Sequence, residues 1–336
     1  MPKVAIVGAT GAVGLEIIGL LEQRQFPVTE LLLYASGRSA GDELPFEGRQ
    51  IKIQNLASAD FKGVDFAFFA AGSSISKEFA PKATEAGAVV IDKSSAFRMD
   101  PDVPLIVPEV NGDLLNDNHR LIASPNCSTI PLVMVLWPLH QAHKIKRVVV
   151  STYQAVSGAG RAAGDELVSQ VVAMLNHQPM EVRVFPHQMA FNVLPHVETF
   201  SPSGYSTEEE KIIEESRKVT GLADLRITAT AVRVPVLNGH SESINIEFEN
   251  AADPDQVREI LKNAPGIQLM DDPVDAVYPM PLEASGRDEV LVGRIRKDLS
   301  VDFGINLWLS ADNLRKGAGL NAIQIAEQIL KIHHLD

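Results

Sequence analysis

The chain predicts an α/β fold: an N-terminal doubly wound parallel sheet, then a second domain of α+β character. Three observations lead there. Continuous apolar runs bounded by turns of small residues recur at 3–7, 31–35, 64–70 and 89–92, the pattern of parallel strands buried on both faces. Helical spacing of apolar residues follows the first run, at Leu15, Ile17, Ile18, Leu20 and Leu21, so strand and helix alternate. Beyond residue 147 the strand-like segments at 225–234, 240–248 and 300–310 alternate apolar with polar residues, which suits a sheet with one solvated or partner-covered face.

Composition narrows the partners. At 336 residues, 45% hydrophobic and 22% charged, the chain has room for two domains. A formal charge of −13 argues against nucleic acid or an anionic membrane, since either needs a basic surface. No apolar run approaches the ~20 residues of a membrane-spanning helix. One cysteine permits no internal disulfide, and the first residues read straight into a strand without a leader pattern, so a cytoplasmic setting is expected. No metal site is expected.

The first strand runs directly into Gly8-Ala9-Thr10-Gly11-Ala12-Val13-Gly14. A strand, three glycines at GxxGxxG spacing and a helix place free N–H groups where a pyrophosphate binds, which predicts a Rossmann-type dinucleotide domain. The second strand ends in Ser36-Gly37-Arg38-Ser39. An NAD-selective site favours an acid at this point. Arg38 with Ser36 and Ser39 instead offers a guanidinium and two hydroxyls to a 2′-phosphate, which argues for NADP(H). The strands at 64–70 and 89–92 end in small-residue turns carrying Ser73 and Ser94, and ligands of such sheets gather beyond the strands' carboxyl ends. Ser73, Arg98 and Asn126 are therefore expected near the cofactor and the nucleophile, with Arg98 as an anion clamp.

The candidate nucleophile is Cys127, in Ser124-Pro125-Asn126-Cys127-Ser128-Thr129-Ile130-Pro131. Apolar residues at helical spacing follow it, and Pro131 fits only a first turn, so the helix should begin near Ser128. A thiol there meets free N–H groups and the positive end of the helix dipole, which favour thiolate. A β-rich run at 147–156, a helix at 162–175, a helix start at Thr207-Glu208-Glu209-Glu210 and a C-terminal helix at 322–332 complete the reading. Glu208 and Lys211, three apart, would share a helix face. The glycines of Gly317-Ala318-Gly319 permit a close approach to a neighbouring segment.

These motifs, with Tyr153-Gln154-Ala155-Val156-Ser157-Gly158-Ala159-Gly160, Ala190-Phe191-Asn192, Arg233-Val234-Pro235-Val236, Gly239-His240-Ser241-Glu242 and Gly319-Leu320-Asn321-Ala322, keep the order and spacing of a known family over nearly the whole chain. The sequence closely resembles aspartate-semialdehyde dehydrogenase. The resemblance implies that NADPH reduces L-4-aspartyl phosphate to L-aspartate 4-semialdehyde with release of phosphate, on the route to lysine, methionine and threonine. It implies a thioester on Cys127, His240 as acid/base partner and Gln154 orienting the reacting group. Arg233 would bind the substrate α-carboxylate, Glu208 its α-amino group, Arg98 and Lys211 the phosphate, with Asn126 also on the substrate. Ser157, Gly158 and Asn321 would lie along the cofactor, beside Gly8, Thr10, Gly11, Ala12, Val13, Ser36, Arg38, Ser39 and Ser73. A homodimer through the second domain's sheet is implied. The expected domains are 1–127, rejoined by a helix at 318–336, and 128–317.

The family usually has glutamine where Pro131 stands and alanine or a larger residue where Gly164 stands; neither position carries a charged role. Two rivals remain. N-acetyl-γ-glutamyl-phosphate reductase shares the cysteine and histidine but handles an acylated amine, which has no use for a carboxylate such as Glu208. A catalytically silent NADP-binding relative need not keep Cys127, Gln154, Arg233 and His240 together.

Overall fold

The computed structural model describes residues 1–332, and the last part of the expected C-terminal helix, 333–336, lies outside the described residues. The chain divides into two compact units, Met1–Asn126 with the segment from Ala318 onward, and Cys127–Gly317.

The first unit is built on a seven-stranded sheet. Its strands are β1 (Lys3–Val7), β2 (Glu30–Ala35), β3 (Glu43–Phe46), β4 (Arg49–Asn55), β5 (Phe66–Phe69), β6 (Val89–Asp92) and β7 (Leu121–Ala123), in the order β3-β4-β2-β1-β5-β6-β7. All neighbours are parallel except the β3–β4 hairpin. Alternation along β1 explains the double winding. Val4 and Ile6 pack into one core with helix α1 (Ala12–Gln23) and with α9 (Leu320–Ile332). Ala5 and Val7 pack into another with α2 (Ser73–Glu85). The strand order reverses at β1, with β2 on one side and β5 on the other, so the glycine turn leaves the sheet at its switch point. A short helix, α3 (Pro108–Asn111), precedes β7.

The second unit opens with α4 (Thr129–His143), whose N-cap is Ser128 and whose first turn holds Pro131, as the proline predicts. Its sheet comprises β8 (Ile145–Gln154), β9 (Arg226–Arg233), β10 (His240–Phe248), β11 (Ile267–Leu269), β12 (Val290–Lys297) and β13 (Gly304–Ala311), in the order β11-β12-β13-β10-β8-β9. The helices α5 (Arg161–Leu175), α6 (Thr207–Thr220), α7 (Pro254–Lys262) and α8 (Pro281–Ala284) complete it. Helix α6 starts on a capping box in which Ser206 and Glu209 satisfy each other's backbone N–H, which holds Glu208 in the first turn. Helices α4, α6 and α7 cover one face of the sheet. The other face is half-exposed and carries Tyr153 and Trp308, ring centroids 5.1 Å apart.

Some elements depart from the sequence reading. The strand expected over 300–310 begins at Gly304, because Asp298 turns the chain by accepting from the N–H and hydroxyl of Ser300. The β3–β4 hairpin and β12 were not anticipated. The first is a polar edge with few buried side chains, and the second shifts register beside Gly293.

Candidate active site

In the first unit, Gly8 takes φ +90°, and an added Cβ would lie 2.7 Å from the Ala70 carbonyl oxygen. A Cβ on Gly14 would lie 2.2 Å from Gly8 O, so the turn closes onto the helix only because neither position has a side chain. The N-cap of α1 is Gly11, with no side-chain cap. The first-turn N–H groups around Ala12 and Val13 are thus left for a ligand. Val7 pairs with Tyr34, so the Ser36-Gly37-Arg38-Ser39 turn leaves the same edge one strand away, with Arg38 exposed. This cradle and its cation fit a dinucleotide carrying an extra phosphate.

Other residues of this unit are placed as follows. Ser73 begins α2 and shares a hydrogen bond with Ser95 at 2.9 Å. Arg98 is buried and donates from Nη2 to Lys93 O at 2.7 Å. Lys93 Nζ in turn bonds the carbonyl of Pro125, next to the buried Asn126. Asn321 is buried, donating to Ile106 O and Ser124 Oγ at 3.0 Å each.

The second unit holds Cys127, Ser128, Gln154, Glu198, Glu208, Lys211, Arg233 and His240 in short contacts. Cys127, immediately before Ser128 at the α4 N-cap, has Sγ 3.4 Å from His240 Nε2. Two tight contacts shape the surroundings. A Cβ on Gly317 would lie 3.1 Å from Cys127 Cβ, which accounts for that glycine, and one on Gly158 would meet Arg233 Nη1 at 3.0 Å and the His240 ring at 3.3 Å. Gln154, at the end of β8, donates from Nε2 to Ser128 Oγ at 2.6 Å and Glu208 Oε1 at 2.8 Å. Its buried Oε1 has no hydrogen-bond partner among the described residues, leaving it to accept from a bound group. Lys211 lies 3.6 Å from Glu208 and 2.5 Å from Glu198. Arg233, ending β9, donates to Ala155 O at 2.7 Å. Burial lowers its guanidinium, and the charges of Glu208 and Cys127 oppose that.

His240 is 1% exposed. Burial, aided by the Arg233 charge, pushes its imidazole well below the ordinary 6.5. Ser157 bonds Asn238 and Asn313. The sequence reading missed Ser128, Glu198, Lys93 and Glu242. Glu242 is wholly buried on β10, with neither carboxyl oxygen partnered among the described residues. Only Glu242 carried a signal in advance, an acid in a strand's apolar register. Among the described residues no acid, histidine or cysteine group could hold a metal, and no helix is long and apolar enough to cross a membrane.

Comparison with known proteins gives the family. Residues 3–118 match the model of the semialdehyde dehydrogenase NAD binding domain and residues 136–316 that of the semialdehyde dehydrogenase dimerisation domain. The aspartate-semialdehyde dehydrogenase of Aquifex aeolicus is 53% identical over 333 residues, 98% of each chain. The crystal structure of aspartate semialdehyde dehydrogenase II from Vibrio cholerae, complexed with ASA, superposes with a TM-score of 0.96 at 45% identity, over 98% of each chain. That of the Candida albicans enzyme with NADP superposes at 0.76 and 25% identity over 100% of each chain. The chain belongs to the aspartate-semialdehyde dehydrogenase family.

Proposed function

We propose that the chain reduces L-4-aspartyl phosphate to L-aspartate 4-semialdehyde and phosphate, using NADPH, through a thioester on Cys127. The observation that carries this is the cluster around the Cys127–His240 pair, 3.4 Å apart, in a chain of this family. Its charges match an amino acid with an acyl phosphate. Arg233 supplies a cation for the α-carboxylate, Glu208 an anion for the α-ammonium, and Lys211 a second cation for the phosphate, as Arg98 does in the first unit. Cys127 attacks the acyl carbon and phosphate leaves, while Gln154, braced by Ser128 and Glu208, orients the reacting group. The uncapped α4 N-terminus offers N–H groups to negative charge developing there.

The glycine cradle with Ser36, Arg38, Ser39 and Ser73 would hold the dinucleotide, which supplies the hydride when bound. Glu208 is paired with Lys211 and Gln154, so it does not by itself exclude an acylated amine. Family membership sets this reading above N-acetyl-γ-glutamyl phosphate. The half-exposed face of the second sheet is our candidate surface for a second copy, a reading supported by the dimerisation-domain match over residues 136–316. A lone free thiol suits a reducing, cytoplasmic setting.

The test is direct. Purified protein mixed with aspartate semialdehyde, phosphate and NADP⁺ should raise the absorbance of reduced nicotinamide. No rise, with turnover of N-acetylglutamate semialdehyde instead, would overturn the substrate assignment.

A further inference from the structure

Two carboxylates, Glu198 and Glu208, stand in the second-unit cluster with two cations, Lys211 and Arg233. The substrate scheme above uses three of these four. Arg233 takes the α-carboxylate, Glu208 the α-ammonium and Lys211 the phosphate. Glu198 has no role in it, and as an anion it opposes the phosphate. Its charge reaches into the site, because with Glu208 and Cys127 it holds the Arg233 guanidinium up against the effect of burial.

The Glu198 carboxylate occupies two donors at once. Oε1 accepts from Lys211 Nζ at 2.5 Å, and Oε2 accepts from the hydroxyl of Thr207, the first residue of α6, at 2.7 Å. An ammonium and a hydroxyl at the start of a helix are donors that suit any anion, a phosphate included. The carboxylate is therefore an intramolecular anion seated on the cation that the phosphate needs.

The backbone is arranged to put it there. Glu198 has φ +64°, a left-handed conformation that a non-glycine residue keeps only where its surroundings hold it. They do so on both sides. Leu194 exchanges two backbone hydrogen bonds with Arg233, at 2.8 and 2.9 Å, and Thr207 N–H bonds Thr199 O at 2.8 Å. The segment is thus tied to β9 before Glu198 and to α6 after it. His196 and Phe200 stack on either side of it in sequence, ring centroids 4.6 Å apart.

The two carboxylates near Lys211 differ in what holds them. The Glu208 side chain is 5% exposed and accepts from Gln154, whereas that of Glu198 is 43% exposed. Glu208 cannot release its partners without leaving a charge in the interior. Glu198 can turn its carboxylate to water, and a part-exposed pair of this kind is weak. The pairing that an arriving anion breaks is the one between Lys211 and Glu198.

We propose that Glu198 is a positioning residue that sets the enzyme's affinity for phosphate: its carboxylate holds Lys211 and yields it when the phosphoryl group, as acyl phosphate or as free phosphate, binds. This rests on the reaction proposed above. Released phosphate has lost the anchors at Arg233 and Glu208, and the returning carboxylate speeds its departure.

The test measures phosphate itself. Inorganic phosphate is titrated as a protectant of Cys127 against iodoacetamide, and its KM is measured with aspartate semialdehyde and NADP⁺. Glu198→Gln keeps the shape of the side chain and loses the charge. Both half-saturating phosphate concentrations should fall at least about threefold, the order of one part-exposed ion pair, while the KM for NADP⁺ stays the same. Damage to the fold weakens binding, so a gain in affinity separates competition from a structural role. Lys211→Gln should raise both values, and adding Glu198→Gln to it should then change them by less than about 1.5-fold, because the competition runs through that one ammonium. Unchanged or higher values in Glu198→Gln, no protection by phosphate in any variant, or an undiminished gain in the Lys211→Gln background would overturn the proposal. Alkylation needs no turnover, so a protein that shows the phosphate effect and yet leaves aspartate semialdehyde unoxidised would defeat the function alone.

Discussion

The two units recognise charge by opposite means. The first offers a ligand its backbone: a glycine turn whose Cβ positions are already occupied by carbonyl oxygens, 2.7 and 2.2 Å away for Gly8 and Gly14, and a helix end without a side-chain cap. The second offers side chains, buried and bonded to one another from Ser128 through Gln154 and Glu208 to Lys211. A backbone site is broken by adding volume and indifferent to chemistry. A side-chain site is broken by changing chemistry at constant volume. That contrast can be attacked from either side.

The largest effect is expected at Cys127. Cys127→Ser changes one atom, yet a hydroxyl is far harder to ionise than a thiol and its ester accepts hydride less readily. Turnover should fall at least about 10⁴-fold, while titration of the same protein with NADPH gives wild-type affinity. Near-normal activity would reduce Cys127 to packing. Gly14→Ala is the converse. One methyl in the first unit should weaken NADPH binding by about 10²-fold or more and cost roughly 1–3 kcal/mol of stability, read by fluorescence titration and thermal melting. Unchanged affinity would mean that the dinucleotide does not use this turn.

Charge enters the first unit at Arg38. Arg38→Leu should weaken NADP binding by roughly 1.5–3 kcal/mol and leave NAD binding almost unchanged. Equal losses would sever Arg38 from the 2′-phosphate. The smallest effect concerns stability alone. Burial raises the Glu242 carboxyl well above its ordinary 4.5, so the folded state keeps a proton that the unfolded chain loses above that pH. This contribution is fully present below about pH 4.5 and drains away as pH rises toward the folded value. Glu242→Gln should match the wild type near pH 4 and gain on it by roughly 1.4 kcal/mol per pH unit above about 4.5, measured by denaturant unfolding. A gap independent of pH would show that Glu242 ionises in place.

What could be read in advance follows the same contrast. The glycine cradle is contiguous, and its spacing states its geometry, so strand, turn and helix were legible together. The α4 start was legible because Pro131 tolerates few positions. The meeting of Cys127 and His240, 113 positions apart, depends on how strands order in a sheet, and only family resemblance supplied it. Gly158 illustrates the limit. The structure sets it against Arg233 and His240, a contact no local pattern encodes. The Glu198 partner of Lys211 and the Ala155 N–H that meets His240 were hidden likewise, the latter because a backbone donor has no letter in the sequence.

The central claim, a thioester on Cys127 formed at the expense of NADP⁺, is tested most directly by withholding phosphate. Enzyme mixed rapidly with aspartate semialdehyde and NADP⁺ alone should give a burst of reduced nicotinamide close to one equivalent per Cys127. Intact and peptide mass spectra of the quenched protein should place an aspartyl group on that residue, discharged when phosphate is added. Steady turnover without a burst, or an acyl group anywhere but Cys127, would contradict the account.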